Sequence, residues 1–196
     1  MSATNTTTQA ISDLTGDYVV DPAHSRIGFV ARHAMVTKVR GSFTELEGRV
    51  HLDEQEPGKS RAEIVIKVKS IDTGNAERDH HLRSNDFFSM DDYPEITFTS
   101  TSAEKLGDVD FKLTGDLTIK GITKSVTIDF EYQGSAKDPY GNLRAGFEGK
   151  AQVNRKDFGI TINAALETGG VLVGDKVALE FDVSLIRSAS QTRAHS

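Results

Sequence analysis

The residues with the greatest chemical capacity lie in one stretch, Arg78-Asp79-His80-His81-Leu82-Arg83-Ser84-Asn85-Asp86-Phe87-Phe88. Its imidazoles and carboxylates, with Asp21, His24 and His33 earlier in the chain, are the types that ligate metals or form general acid–base pairs. The spacing argues against both uses. Adjacent residues on a helix point about 100° apart, so His80 and His81 do not readily share one ion. The chain contains no HExxH, GxSxG, P-loop or GxGxxG pattern. It has no cysteine, which removes disulfides, thiol nucleophiles and cysteine-bound zinc. His24 and His33 read as hydrogen-bonded histidines at strand ends. The expectation is a chain with no catalytic residue, no metal and no cofactor.

The elements that must position this stretch are strands. Asn75 can cap a short helix over it, placing Arg78, His81, Leu82 and Asn85 on one face. Almost everything else alternates with period two. A short strand at Asp17–Asp21 stops at Pro22, and Ser25–His33 puts Ile27, Phe29 and Ala31 on one face. Gly41 and Phe43 read as the next turn. Leu46, Gly48, Val50 and Leu52 alternate with polar residues, and Arg61–Ile71 reads as one long strand. After the helical stretch, residues 95–101, 109–119, 126–132, 143–153 and 177–185 each alternate again. In the second of these, Phe111, Leu113, Leu117 and Ile119 are expected to point inward. Lys112, Thr114, Asp116 and Thr118 should point outward.

This makes about eight strands with no βαβ alternation, an all-β chain in one antiparallel run. Long strands with one apolar face bury it in a sandwich or a closed barrel. Gly48, Gly115, Ala145, Gly149 and Ala151 occupy apolar faces. They either leave space inside a barrel or only let strands bend.

At 196 residues with net charge −6 the chain is one domain, expected at 17–187, with disordered tails at 1–16 and 188–196. No basic patch or RNP-type aromatic motif points to nucleic acid. No run approaches the roughly 18 apolar residues of a transmembrane segment. The polar N-terminus carries no Lys or Arg and no apolar run over residues 1–16, so it is not a signal peptide and the expected location is cytoplasmic.

Several stretches together resemble the YceI-like family of lipid-binding proteins. They are Asp21-Pro22-Ala23-His24-Ser25 with Phe29 and His33; Gly41-Ser42-Phe43; Arg78 to Ser84 with Asp86-Phe87-Phe88; Tyr93-Pro94 with Phe98; Gly115 to Lys124; and Asn154 to Ile160. The resemblance runs from about residue 17 to 186. It implies an extended eight-stranded antiparallel lipocalin-like β-barrel, with one short helix near 75–88. It also implies an apolar interior that holds a long isoprenoid lipid, polyprenyl or quinone-like, for transport, storage or sequestration rather than catalysis. Many relatives are exported, so the expected location departs from the family's habit. On this reading Phe29, Phe43, Phe87, Phe88, Phe98, Phe111, Leu113 and Leu117 line the cavity. Arg78, His81 and Arg155 are the head-group candidates, with cations suited to a diphosphate. For Arg78 the favoured alternative is an ion pair that, with Asp79, ties the helix to the barrel end. The partner expected is the isoprenoid lipid, with a homodimer compatible and no nucleic acid. A metal- or histidine-dependent enzyme, or a stress or interaction protein with an unfilled barrel, are the competing readings.

Overall fold

A computed structural model describes residues 13–163 and 173–187. Of the N-terminal tail expected at 1–16, residues 13–16 are described. There the Leu14 amide donates to Glu54 at 2.6 Å, and the first strand begins at Gly16. The rest of both expected tails lies outside the described residues.

The strands are β1 (Gly16–Val20), β2 (Arg26–His33), β3 (Thr37–Phe43), β4 (Leu46–Leu52), β5 (Arg61–Lys67), β6 (Ile71–Asp72), β7 (Glu95–Lys105), β8 (Asp110–Ile119), β9 (Ile122–Lys137), β10 (Leu143–Asn154) and β11 (Lys176–Arg187), with one α-helix, α1 (Ala76–Arg83). All belong to one antiparallel sheet that closes on itself through β1 and β11. Three long strands are each broken in two, as β1–β2, β3–β4 and β5–β6. The described residues therefore make an eight-stranded closed barrel, the lipocalin-like architecture.

Each break has a local cause. Pro22 sits at the start of a 3-10 turn whose cap is Asp21, which accepts from the Ala23 amide at 3.0 Å. β11 runs straight past this break, pairing with β1 at one end and β2 at the other. Gly41 and Phe43 are strand residues, not a turn as their sequence suggests; the chain bends after them, at Thr44 and Glu45. Arg61–Ile71 is likewise not one strand. Ser70 turns its hydroxyl back to the Lys67 carbonyl at 2.7 Å, and Val68–Ser70 forms a 3-10 turn. Register shifts at Thr101 and Gln133 add local bends in β7 and β9.

The alternation in β8 emerges as read. Leu117 is buried in the interior, while Asp116 is exposed. Thr114 and Thr118 form hydroxyl pairs across the outer face with Thr127 and Thr123, at 3.0 and 2.7 Å. The core is the lumen itself, from Tyr18 and Leu185 at one end to Phe43, Ile71 and Phe158 at the other.

Candidate functional site: the divided apolar lumen

The lumen contains two apolar cavities placed end to end. The helix-end cavity has a volume of ≈ 160 Å³ and the opposite one ≈ 190 Å³. Ile64, Phe98 and Ile128 line both and form a waist between them. All three are buried, at 8%, 6% and 3% exposure, and they come from β5, β7 and β9, which are consecutive around the barrel but for β8.

Every residue expected on the cavity wall lies on one of these two surfaces. Phe29, Phe43, Phe87, Phe88, Phe98 and Leu117 line the helix-end cavity. Phe111, Leu113 and again Phe98 line the other. Sequence reasoning left out the rings of Phe130, Phe147 and Phe181, although they occupy the same alternating faces. Phe130 lies 5.8 Å from Phe181 and 6.4 Å from Phe147, centroid to centroid. The rim of the far cavity adds three cations, Arg61, Lys105 and Lys112, among the acids Asp53, Glu54 and Asp108.

The interior glycines neither leave open space nor serve only to bend strands. A Cβ on Gly41 would sit 2.3 Å from the Phe29 ring, on Gly115 2.5 Å from Phe98, and on Gly149 2.5 Å from Phe130. Each glycine is the bed for a ring from a neighbouring strand. The ring lies back against the wall because no side chain stands beneath it.

The helical stretch closes one end. Asn75 caps α1, its side chain accepting from the Arg78 amide at 2.9 Å. The inward residues are Asp79, which is buried, and Leu82, which reaches the cavity. Arg78 and His81 are exposed. Beyond the helix, Phe88 packs edge-on against Phe43 at 6.1 Å.

The three head-group candidates are placed as follows. Arg78 makes no ion pair among the described residues; it donates to the hydroxyl and carbonyl of Thr73 at 2.7 and 2.8 Å. The carboxylate that anchors the helix is Asp79, which accepts from the Thr73 amide at 2.9 Å and from its hydroxyl. His81 reaches Asp86 at 2.8 Å and stacks edge-on with Phe87. Arg155 is 5% exposed at the cavity edge. Its donors go to the carbonyls of Ile160, Ile162, Val173 and Gly174 at 2.8–3.2 Å and to Asp175 at 3.3 Å. A guanidinium has five N–H donors, and these five bonds use that number. The charge therefore holds the segment after β10 to the start of β11.

The remaining polar cluster is on the outside. Asp21 accepts from Arg144 at 2.8 Å and meets His24 Nδ1 at 2.6 Å, and Arg144 also donates to Asp138 at 2.9 Å. The Arg144 guanidinium holds the Asp21 carboxyl below the usual carboxylate range, against the opposing push of burial. Asp138 is also held low: burial pushes it up, but the Asn142 amide and Arg144 outweigh that. No group of three or more potential metal ligands occurs among the described residues.

A closed antiparallel barrel around a long, ring-walled apolar lumen, plugged at one end, is a ligand-enclosing protein. The profile of the YceI-like domain matches residues 18–185, and the chain belongs to that family. It is 40% identical over 151 residues to Protein YceI of Escherichia coli O157:H7, covering 76% of this chain and 78% of that protein. It is 41% identical over 165 residues to a UPF0312 protein of Staphylococcus aureus, covering 84% and 94%. Among solved structures, BcnA of Burkholderia cenocepacia superposes with a TM-score of 0.74 at 25% identity, over 84% of this chain and 98% of that one. A polyisoprenoid binding domain from Saccharophagus degradans superposes with a TM-score of 0.65 at 17% identity, over 87% and 98%.

Proposed function

We propose that the barrel binds a long isoprenoid lipid in its lumen and serves as a carrier or store for it, without catalysing a reaction. The observation that carries this reading is the pair of apolar cavities in line, joined at an aliphatic and aromatic waist. A compact ligand needs one chamber. A ligand that fills both must be long, thin and apolar, and must thread past Ile64, Phe98 and Ile128. An isoprenoid chain meets these demands, and its transfer from water is favoured by roughly 25 cal/mol for each Å² of apolar surface buried. The head group belongs at a rim, because the waist and the walls beside it offer it no polar partner. The family membership and the polyisoprenoid-binding description of one structural neighbour support the same reading.

His24 and His81 each meet a single carboxylate, and neither lines the two cavities. The test is organic extraction of the purified protein followed by mass spectrometry. A co-purified prenyl lipid is the expected result. A barrel that neither carries such a lipid nor takes up added polyprenol or quinone refutes the proposal.

A further inference from the structure

The hairpin formed by β2 and β3 is uniformly basic. Among the described residues it meets acids of β11 only at its base, where Arg26 is in register with Asp182, and at Arg40, beside Glu180. Residues 26–40 contain Arg26, Arg32, Lys38 and Arg40 and no acid, within a chain of net charge −6. Arg32 and Lys38 are directly opposite each other in the register. Like charges at facing positions destabilise a strand pair, and neither residue has an ion-pair partner among the described residues. Arg40 reaches Glu180 only at 3.7 Å, with both side chains about half exposed.

The tip of the hairpin is equally costly. The turn from His33 to Val36 is closed by a 3.2 Å hydrogen bond. Its central residues, Ala34 and Met35, have φ of 51° and 63°. Such a turn favours asparagine and glycine. Here the left-handed positions hold alanine and methionine, and Met35 and Val36 are 61% and 76% exposed. Behind the tip, Phe29 and Ala31 on the inner face of β2 line the helix-end cavity, and the exposed pair His33 and Thr37 lies between them and the turn.

We propose that this hairpin docks the barrel on an anionic lipid bilayer. Met35 and Val36 enter the headgroup layer, and Arg32 and Lys38 meet lipid phosphates, relieving their mutual repulsion. The helix end of the barrel then faces the bilayer. This goes beyond the cargo assignment and stands independently of it.

The chain has no tryptophan, so Val36→Trp supplies a sole reporter at the tip. Tyr140→Trp, 89% exposed at the other end of the barrel, supplies the control. The vesicles are phosphatidylcholine alone and an equimolar mixture with phosphatidylglycerol, both free of isoprenoid. The expected result is a blue shift of the Val36→Trp emission on the mixed vesicles only, weakened by salt, with no shift for Tyr140→Trp. A basic residue near an anionic surface contributes about fivefold in partitioning, so Arg32→Gln with Lys38→Gln should reduce binding roughly 30-fold. Met35→Asn, which suits a left-handed residue, should keep the turn and weaken insertion. No shift, an equal shift on neutral vesicles, an equal shift from both reporters, or binding unchanged by charge removal each overturns the proposal. Because the vesicles hold no isoprenoid, failure here is distinct from failure of the extraction test.

Discussion

The arrangement of rings over glycines makes a quantitative demand on Gly149. An added Cβ would lie 2.5, 2.7 and 3.1 Å from three atoms of the Phe130 ring. Carbon atoms in contact prefer about 3.5–4.0 Å, so the ring must retreat by roughly 1 Å. Phe147 and Phe181 stand beside it at 6.4 and 5.8 Å, leaving the lumen as the way out. Overpacking of this kind costs about 1–3 kcal/mol. The reduced freedom of an unfolded chain bearing alanine returns about 0.4–1 kcal/mol, so the clash dominates. The net cost of about 0.6–2 kcal/mol means that Gly149→Ala should lower the melting temperature by roughly 1–8 °C at about 2–4 °C per kcal/mol, and shift the urea midpoint without changing the slope. Gly146 in the same strand is the internal control. Its Cβ would meet nothing closer than Gln133 at 3.7 Å, so Gly146→Ala should be neutral or stabilising. Phe130→Leu should absorb much of the strain, giving a coupling energy of about 1 kcal/mol or more with Gly149→Ala in a double-mutant cycle. Additivity of the two substitutions within about 0.5 kcal/mol, or a Gly149→Ala protein as stable as the wild type, would refute the idea that glycines bed the rings.

Three further outcomes follow from the polar contacts. Asp79→Ala should destabilise the lipid-free barrel by about 1.5–3 kcal/mol in chemical denaturation, since it removes a buried, charged acceptor from the part-buried amide and hydroxyl of Thr73, whereas exposed Arg78→Ala should cost about 1 kcal/mol or less. The reverse order would restore Arg78 as the anchor. The depressed carboxyls of Asp21 and Asp138 contribute stability that is present above the unfolded value, about pH 3.9, and is lost as pH falls through their lower folded values. Arg144→Gln should therefore be less stable than the wild type at neutral pH, with the gap closing below about pH 4 in acid titrations followed by circular dichroism. Finally, EDTA should leave the melting temperature unchanged; a drop of several degrees would revive the histidines as metal ligands.

Period-two alternation made the barrel legible because side-chain direction in a strand depends only on parity. The wall residues follow from the same rule, which is why Phe111, Leu113 and Leu117 sit on the lumen. The breaks in the long strands were less accessible. Pro22 announces one, but Ser70 turns the chain through a hydroxyl-to-carbonyl bond, and nothing in its flanking pattern distinguishes it from any serine in a strand. The interior glycines were ambiguous for a related reason. Alternation places Gly149 on the inner face, but only the pairing of β9 with β10 puts Phe130 opposite it.

Charged residues were the least legible, because their partners are set by tertiary structure. Arg155 reads as a free cation in a YceI-like motif, yet its acceptors are mostly main-chain carbonyls, which no side-chain pattern reveals. Arg78 and Asp79 are adjacent and opposite in charge, which suggested joint anchoring by ion pairs. A helical turn separates neighbours by about 100°, and it buries one while exposing the other. Arg32 and Lys38 show the converse. The alternation of Ser25–His33 set Arg32 opposite the apolar face, and no pattern assigned Lys38 to a strand. Once the register sets them face to face with no ion-pair partner among the described residues, the same residues become an unfavourable pair that an anionic surface would relieve.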